Sequence, residues 1–287
     1  MRTLVTGSSG HLGEAIVRTL RARGEDVAGM DIRPSPWTDR VGSVTDPGAV
    51  RAAMAGADVV LHTATLHKPQ LAFVPGRAFI DTNVSGTLSL LEAAADSGVR
   101  AFVMSSSTTV FGDALIPDAQ QPAAWIDESV TPVPKNMYGA TKAAAEDLCQ
   151  LAQRNHGLPC VVLRVARFFP EGDDRPDAQE GRNDANVKAD EYATRRVALE
   201  DAVDAHLLAA AAAERIGFGR YIVSATTPFL PQDLAQLRTD AAGVFARRAP
   251  RVAEMVDAED TVQTPLARLV GSKEYLHSSY HRRTFAP

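Results

Sequence analysis

The stretch TGSSGHLG, residues 6–13, decides the fold. The strand-like run TLVTG (3–7) leads into it, and the helical pattern GEAIVRTLRARG (13–24), ended by Gly24, follows. Gly7, Gly10 and Gly13 fall three residues apart. Glycine lets a backbone turn tightly and come close to a pyrophosphate, while a helix start offers N–H groups and the positive end of its dipole. A glycine triplet alone says little. Between a strand and a helix it reads as a dinucleotide-binding loop, with Ser9, His11 and Leu12 beside the glycines as candidate contacts.

Asp31 ends the second strand (26–31), where a carboxylate accepts hydrogen bonds from an adenosine ribose diol and repels a 2′-phosphate. NAD is therefore favoured. Arg33, two residues on, leaves NADP open, because a guanidinium pairs well with a phosphate. Beyond this point apolar runs at 58–64, 101–107, 159–166 and 219–225 alternate with helical patterns at 46–56, 81–98, 138–157 and 200–215. Asp46 suits the N-cap of the first of these helices and Pro47 its first turn. The alternation predicts an α/β fold, a Rossmann-type doubly wound parallel sheet with helices on both faces. Residues 171–195, polar and rich in Asp, Arg and Gly, break the rhythm, and 227–287 show no clear strand pattern. The expected division is a dinucleotide-binding domain of 1–166 and 197–226, with a small interleaved C-terminal substrate lobe of 167–196 and 227–287.

The bulk numbers exclude other classes. With 287 residues, 45% hydrophobic and 23% charged, the chain has an ordinary globular composition. A net charge of −5 leaves no footprint for nucleic acid or an anionic membrane. No apolar run approaches the roughly 20 residues of a membrane span. The N-terminus enters a strand at once, so no signal peptide is expected. Cys149 and Cys160 point to a reducing, cytoplasmic setting without a disulfide framework. The seven histidines lack ligand spacing, so no metal is expected, and His206 on its alanine-rich helix reads as packing.

YGATK, residues 138–142, places a phenol and an ammonium one helical turn apart on one helix face. The preceding strand ends in Ser105, Ser106 and Ser107. Strand ends and helix starts both belong at the carboxyl edge of such a sheet, where ligands bind. An unperturbed phenol, with a pKa of about 10, is a poor acid or base near neutrality. A nearby ammonium lowers it, and a serine hydroxyl holds a substrate oxygen beside it. The set suits moving a proton on an alcohol or carbonyl while hydride passes to or from a nicotinamide.

Together these motifs resemble the extended short-chain dehydrogenase/reductase superfamily, the NAD-dependent epimerase/dehydratase family, over about residues 1–225. TGSSGHLG resembles its nucleotide loop, VMSSSTTVFG its serine strand and YGATK its active-site helix. The resemblance implies Ser107, Tyr138 and Lys142 as catalytic residues, with Lys142 also holding a ribose. It implies a cofactor-facing Asn83 in DTNVSGTLSLLEAA, and Thr63, Ala64 and Thr65 lining the nicotinamide ribose side. Val44 and Ser105 complete the expected cofactor set, and Ser106 is expected near cofactor or substrate. A homodimer formed through the helices at 81–97 and 138–155 is implied as well.

Departures from the family pattern narrow the expectation. Thr108 and Thr109 stand where the family's dehydratases usually carry an Asp-Glu pair, so dehydration is disfavoured. Arg167 replaces an Asn that often helps hold a nucleotide-sugar diphosphate, and an arginine grips phosphate or carboxylate. His67, Lys68, Ser107, Thr108, Arg167 and Arg196 are the candidate substrate contacts, with Arg195 beside them and Met137 and Phe169 as candidate pocket walls. The expected activity is oxidation or epimerisation of a sugar-like secondary alcohol or carbonyl. The alternatives are a simple dehydrogenase of a sugar acid or other small carbonyl compound, and a non-catalytic cofactor sensor.

Overall fold

Paired apolar residues that alternate across the strands set the architecture, because neighbouring strand residues point to opposite faces of a sheet. A computed structural model describes residues 1–118, 120–168 and 196–250, with the backbone of 268–270. The strands are β1 (Arg2–Thr6), β2 (Asp26–Asp31), β3 (Arg40–Val41), β4 (Val59–His62), β5 (Ala101–Ser107), β7 (Cys160–Val165) and β8 (Phe218–Val223). They form one sheet in the order β3-β2-β1-β4-β5-β7-β8, all parallel. This is the doubly wound arrangement expected.

Val5, Leu61, Val103, Val161 and Leu163 face α1 (His11–Ala22) and α6 (Leu199–Ile216). Their neighbours Leu4, Val60, Phe102 and Val162 face α2 (Pro47–Met54), α4 (Gly86–Asp96) and α5 (Met137–His156). Both faces are buried, so the strands read as continuous apolar runs. Asp46 caps α2 as expected, accepting from the amides of Gly48 and Ala49, with Pro47 at its first position. Gly157, in the left-handed region, ends α5.

Two differences from the sequence expectation stand out. The helix expected over 81–98 starts earlier, with α3 (Gly76–Phe79), and passes through a π-helical turn at Ile80–Ser85 before α4. The Thr87 hydroxyl donates to the Asn83 carbonyl at 2.7 Å, a side-chain bond that competes with the regular helical ladder. The region 227–287 does contain a strand: β9 (Arg268–Val270) pairs in parallel with β6 (Ala124–Ile126). A three-residue strand far from its partner in sequence leaves no periodic signal. Two short helices, α7 (Leu234–Thr239) and α8 (Ala241–Arg248), pack Leu237 and Val244 with Phe229 and Ala123 into a small separate cluster.

The order of strands reverses direction at β1, between β2 and β4. Ligand crevices of such sheets open there, at the carboxyl ends. Gly13 controls how closely α1 approaches that edge. A Cβ on Gly13 would run into the Gly7 carbonyl and stand 2.9 Å from Thr63 Oγ1. Gly13→Ala is therefore expected to cost about 1–3 kcal/mol through overpacking. Thermal denaturation should show a fall of roughly 3–10 °C; an unchanged midpoint would refute this packing.

Candidate functional site

The glycine loop is built by its own packing. Gly7 has φ +78°, and a Cβ there would meet the Ala64 amide at 2.6 Å. Gly10 is different. Its φ is an ordinary −88°, and the sole protein atom near a Cβ would be the Gly7 oxygen at 3.3 Å. That contact is tight without being a clash, so packing calls for glycine far less at 10 than at 7 or 13. Lacking a side chain there keeps the ground above the start of α1 clear, and no side chain caps that helix. An uncapped N-terminus with an unobstructed approach fits a dinucleotide pyrophosphate.

Asp31 accepts from the Ser9 amide at 3.0 Å and the Arg33 amide at 2.9 Å, so its carboxylate also ties the loop to the end of β2. Arg33 is exposed, and its guanidinium reaches the Ser9 carbonyl at 3.3 Å. Ser9 Oγ meets the Arg33 carbonyl and Thr38 Oγ1, at 2.8 and 2.9 Å. His11 is exposed at the first position of α1, whereas the Leu12 side chain is buried in the core. Val44 is likewise buried and packs on Gly86.

Beyond β4 the chain is clamped by Asn83. Asn83 Oδ1 accepts from the Leu66 amide at 2.8 Å and from Thr65 Oγ1 at 3.0 Å. Its Nδ2 donates to the Leu66 carbonyl at 2.9 Å and to Thr141 Oγ1 at 3.0 Å. The amide expected to face the cofactor is thus turned into protein, where it fixes the 63–66 segment against α5. Thr63 Oγ1 donates to the Thr6 carbonyl at 2.7 Å, and the Ala64 amide to Thr6 Oγ1 at 3.4 Å. His62, which the sequence reading passed over, lies buried below. Its Nδ1 meets Thr6 Oγ1 at 2.7 Å and its Nε2 meets Thr87 Oγ1 at 3.0 Å. Burial and then the charge of Lys142 push its pKa down to about 3, so it is neutral. A histidine inside the apolar run VVLH was the available signal.

The three serines of β5 take three different partners. Ser105 Oγ meets His206 Nε2 at 2.7 Å, so its hydroxyl is committed to packing rather than to a ligand. His206 is buried, as expected of a packing residue, with its Nδ1 2.7 Å from the Ala202 carbonyl. Ser106 donates to Glu146 at 2.6 Å and so points into protein instead of toward cofactor or substrate. Ser107 accepts from the Thr109 amide, starting the 3-10 turn Thr108–Phe111, and stands near enough to Tyr138 to pull the phenol's pKa down.

YGATK supplies the facing half. Asn136 caps α5, accepting from Gly139. A Cβ on Gly139 would be 2.8 Å from the Thr109 carbonyl, so glycine lets the helix start close to the serine turn. Tyr138 is buried, and burial raises its pKa to about 12, against a smaller opposing pull from Ser107. Lys142 is 1% exposed and donates from Nζ to the Ser105 carbonyl at 2.8 Å. Burial lowers its pKa to about 8, with Glu146 and then Cys149 acting the other way. The lysine expected to lower the phenol does not do so here, because its ammonium is directed at a backbone carbonyl and burial dominates the phenol. Serine, phenol and ammonium are nonetheless gathered at the carboxyl edge of β5.

Of the expected substrate contacts, Thr108 is buried, while His67 and Lys68 are exposed around a 3-10 turn, Lys68–Ala72. The backbones of Arg167 and Arg196 form a parallel bridge just past β7. The Val197 amide donates to the Arg167 carbonyl at 3.1 Å. Met137 lies against Gly76. Phe169 and Arg195 lie outside the described residues, as does the 171–195 stretch. Among the described residues no helix is long and apolar enough to cross a membrane, and no group of three or more His, Cys, Asp or Glu could hold a metal.

A UDP-glucose 4-epimerase of Streptomyces lividans is 30% identical over 238 residues, 72% of this chain and 70% of its own. An NAD-dependent glucose-6-phosphate dehydrogenase of Haloferax volcanii is 30% identical over 183 residues, 58% of this chain and 68% of its own. The first four curated relatives are matched over 39%, 68%, 57% and 52% of their own lengths. A solved short-chain dehydrogenase/reductase superfamily protein of Agrobacterium tumefaciens, with bound NAD, has a TM-score of 0.66 at 25% identity, covering 99% of this chain and 91% of that one. The profile of the NAD dependent epimerase/dehydratase family matches residues 3–223. On that match, and with NAD as its cofactor, the chain belongs to the NAD-dependent epimerase/dehydratase family.

Proposed function

We propose that this protein oxidises or reduces a secondary alcohol or carbonyl on a small sugar-like substrate bearing an anionic group, through Ser107, Tyr138 and Lys142. The observation that carries this is the convergence of Ser107, at the end of β5, on the buried Tyr138 phenol at the start of α5, near enough to pull its pKa down, with Lys142 one turn along the same helix face. NAD, when bound, supplies the hydride acceptor or donor. Gly7, Gly10, Gly13, the start of α1 and Asp31 would hold its adenosine and pyrophosphate half, and Thr63–Thr65 and Lys142 its nicotinamide ribose side. Tyr138 gives a proton to the substrate oxygen in reduction and takes it in oxidation, while Ser107 donates a hydrogen bond to that oxygen. The ammonium of Lys142, aimed at the Ser105 carbonyl, serves the cofactor side of the site rather than the phenol.

An acidic sugar or sugar phosphate is proposed over a neutral one because the backbones of Arg167 and Arg196 pair just past β7, which puts two arginines at the carboxyl end of the sheet. Dehydration is disfavoured because Thr108 and Thr109, which follow the serine strand, have no acidic proton to give; Thr109 Oγ1 instead accepts from Ser107 at 3.1 Å. Epimerisation is the second reading, supported by the Streptomyces lividans relative that aligns over 72% of the chain. The lobe closing over the substrate is proposed to come from 167–196 and 227–287. A homodimer through α4 and α5 is proposed as well, with Leu88 and Leu151 exposed on those helices; light scattering showing a clean monomer would count against it.

Incubation with NAD and a panel of uronic acids, aldonic acids, sugar phosphates and nucleotide sugars tests the reaction. Net absorbance at 340 nm is expected with an anionic sugar, whereas isomerisation without net NADH would mean an epimerase. Tyr138→Phe should lower the rate at least ~100-fold; a variant that kept its rate would overturn the phenol's role. Arg167→Ala should raise KM about tenfold for an anionic substrate and little for a neutral analogue; an equal effect on both would remove the anion assignment. In the reductive direction Tyr138 stays protonated through the neutral range. Lys142 is cationic below about 8 and neutral above it. Activity should therefore hold at neutral pH and fall as pH rises through about 8, and a profile flat to pH 10 would contradict the ammonium's part.

A further inference from the structure

A buried charge cluster lies one turn beyond Lys142 on α5. Glu146 is 1% exposed. Its carboxylate accepts from Arg164 Nε at 3.1 and 3.2 Å and from Arg164 Nη2 at 2.8 Å. Arg220 Nε, from β8, lies 3.2 Å away, and Ser106 Oγ donates at 2.6 Å. Arg164 is itself fixed over the Phe111 ring at 4.9 Å, and Arg220 reaches out to Asp147 at 2.7 Å. Consecutive residues of β5 hold both partners: the Ser105 carbonyl receives Lys142, and the Ser106 hydroxyl binds Glu146.

We propose that Glu146 is a positioning residue whose carboxylate, held in place by Arg164 and Arg220, keeps the fully buried Lys142 cationic at the cofactor site. This rests on the reading above of Lys142 as the group that holds the cofactor. A buried ammonium is disfavoured unless an opposite charge is near. Among the groups that face Lys142, Glu146 is the main source of that charge and Cys149 a lesser one. On its own helix, the Cys160 thiol and then burial push the Cys149 thiol well up, and Tyr138 is a neutral phenol. On β4, His62 is neutral. Arg164 on β7 and Arg220 on β8 stand behind Glu146 and moderate it. Two cations on one carboxylate would leave little for Lys142 if both were fully engaged. Arg220, partly exposed and shared with Asp147, is the weaker brake.

The test is the titration of Lys142 itself, read by heteronuclear NMR of side-chain-labelled lysine in the protein without added NAD. The chain has five lysines, so the resonance is assigned by its loss in Lys142→Met. Glu146→Gln, which keeps the shape, should move the midpoint down by about one unit or more. Arg220→Gln should move it up, by roughly half a unit. The pH at which NAD affinity falls should shift the same way in each variant. A role confined to packing would not move the two midpoints in opposite directions, so unchanged midpoints or a common direction overturn the proposal. Should Glu146→Gln fail to fold, the sign in Arg220→Gln decides alone. Opposite midpoint shifts with no matching change in NAD affinity would support the counter-charge and instead defeat the reading of Lys142 as the cofactor's holder.

Discussion

The rest of the structure depends on how α5 is seated on the end of β5. A strand sends successive side chains to opposite faces, and its backbone carbonyls point sideways. Ser105 accordingly binds His206 on the α6 side, Ser106 binds Glu146 on the α5 side, and the Ser105 carbonyl takes the ammonium of Lys142. These contacts fix the helix in register, so that Tyr138 meets Ser107 where the strand turns away. A slip of one residue along the strand would exchange the faces and separate the pair.

Magnitudes show which contacts dominate that seating. A neutral hydrogen bond contributes about 1 kcal/mol net, whereas breaking a buried ion pair on one side costs about 3–5 kcal/mol. Losing one side of the Glu146–Arg164 pair is therefore expected to cost more than losing the Ser105–His206 bond, because it strands a buried charge, while the Ser106 bond to Glu146 is itself charge-assisted. The glycine loop is shaped differently, by contacts that leave no room for a Cβ at Gly7 and Gly13.

Much of this was legible in the sequence. The glycine spacing and the alternation of strands and helices placed the fold, and the YGATK and serine motifs placed the candidate residues at one sheet edge, since those signals are local. Side-chain direction was not legible. Asn83 and Ser105 sit in the expected places, but their polar groups turn inward because partners 17 to 101 residues away claim them. Lys142 and Tyr138 share a helix face as the spacing required, yet the tuning expected between them is replaced by burial and by Glu146, whose part emerges once Arg164 and Ser106 are seen around it. The pairing of β6 with β9 escaped for a similar reason: three residues give no period, and the partner is remote in sequence.

The account's central claim is that a buried ammonium on α5 links the catalytic phenol to the dinucleotide. Calorimetric titration of NAD at pH 7 into the native protein and into Lys142→Met measures this most directly. The account predicts binding by the native protein and at least about a tenfold weaker dissociation constant in the variant. Equal affinity in the two proteins would contradict it.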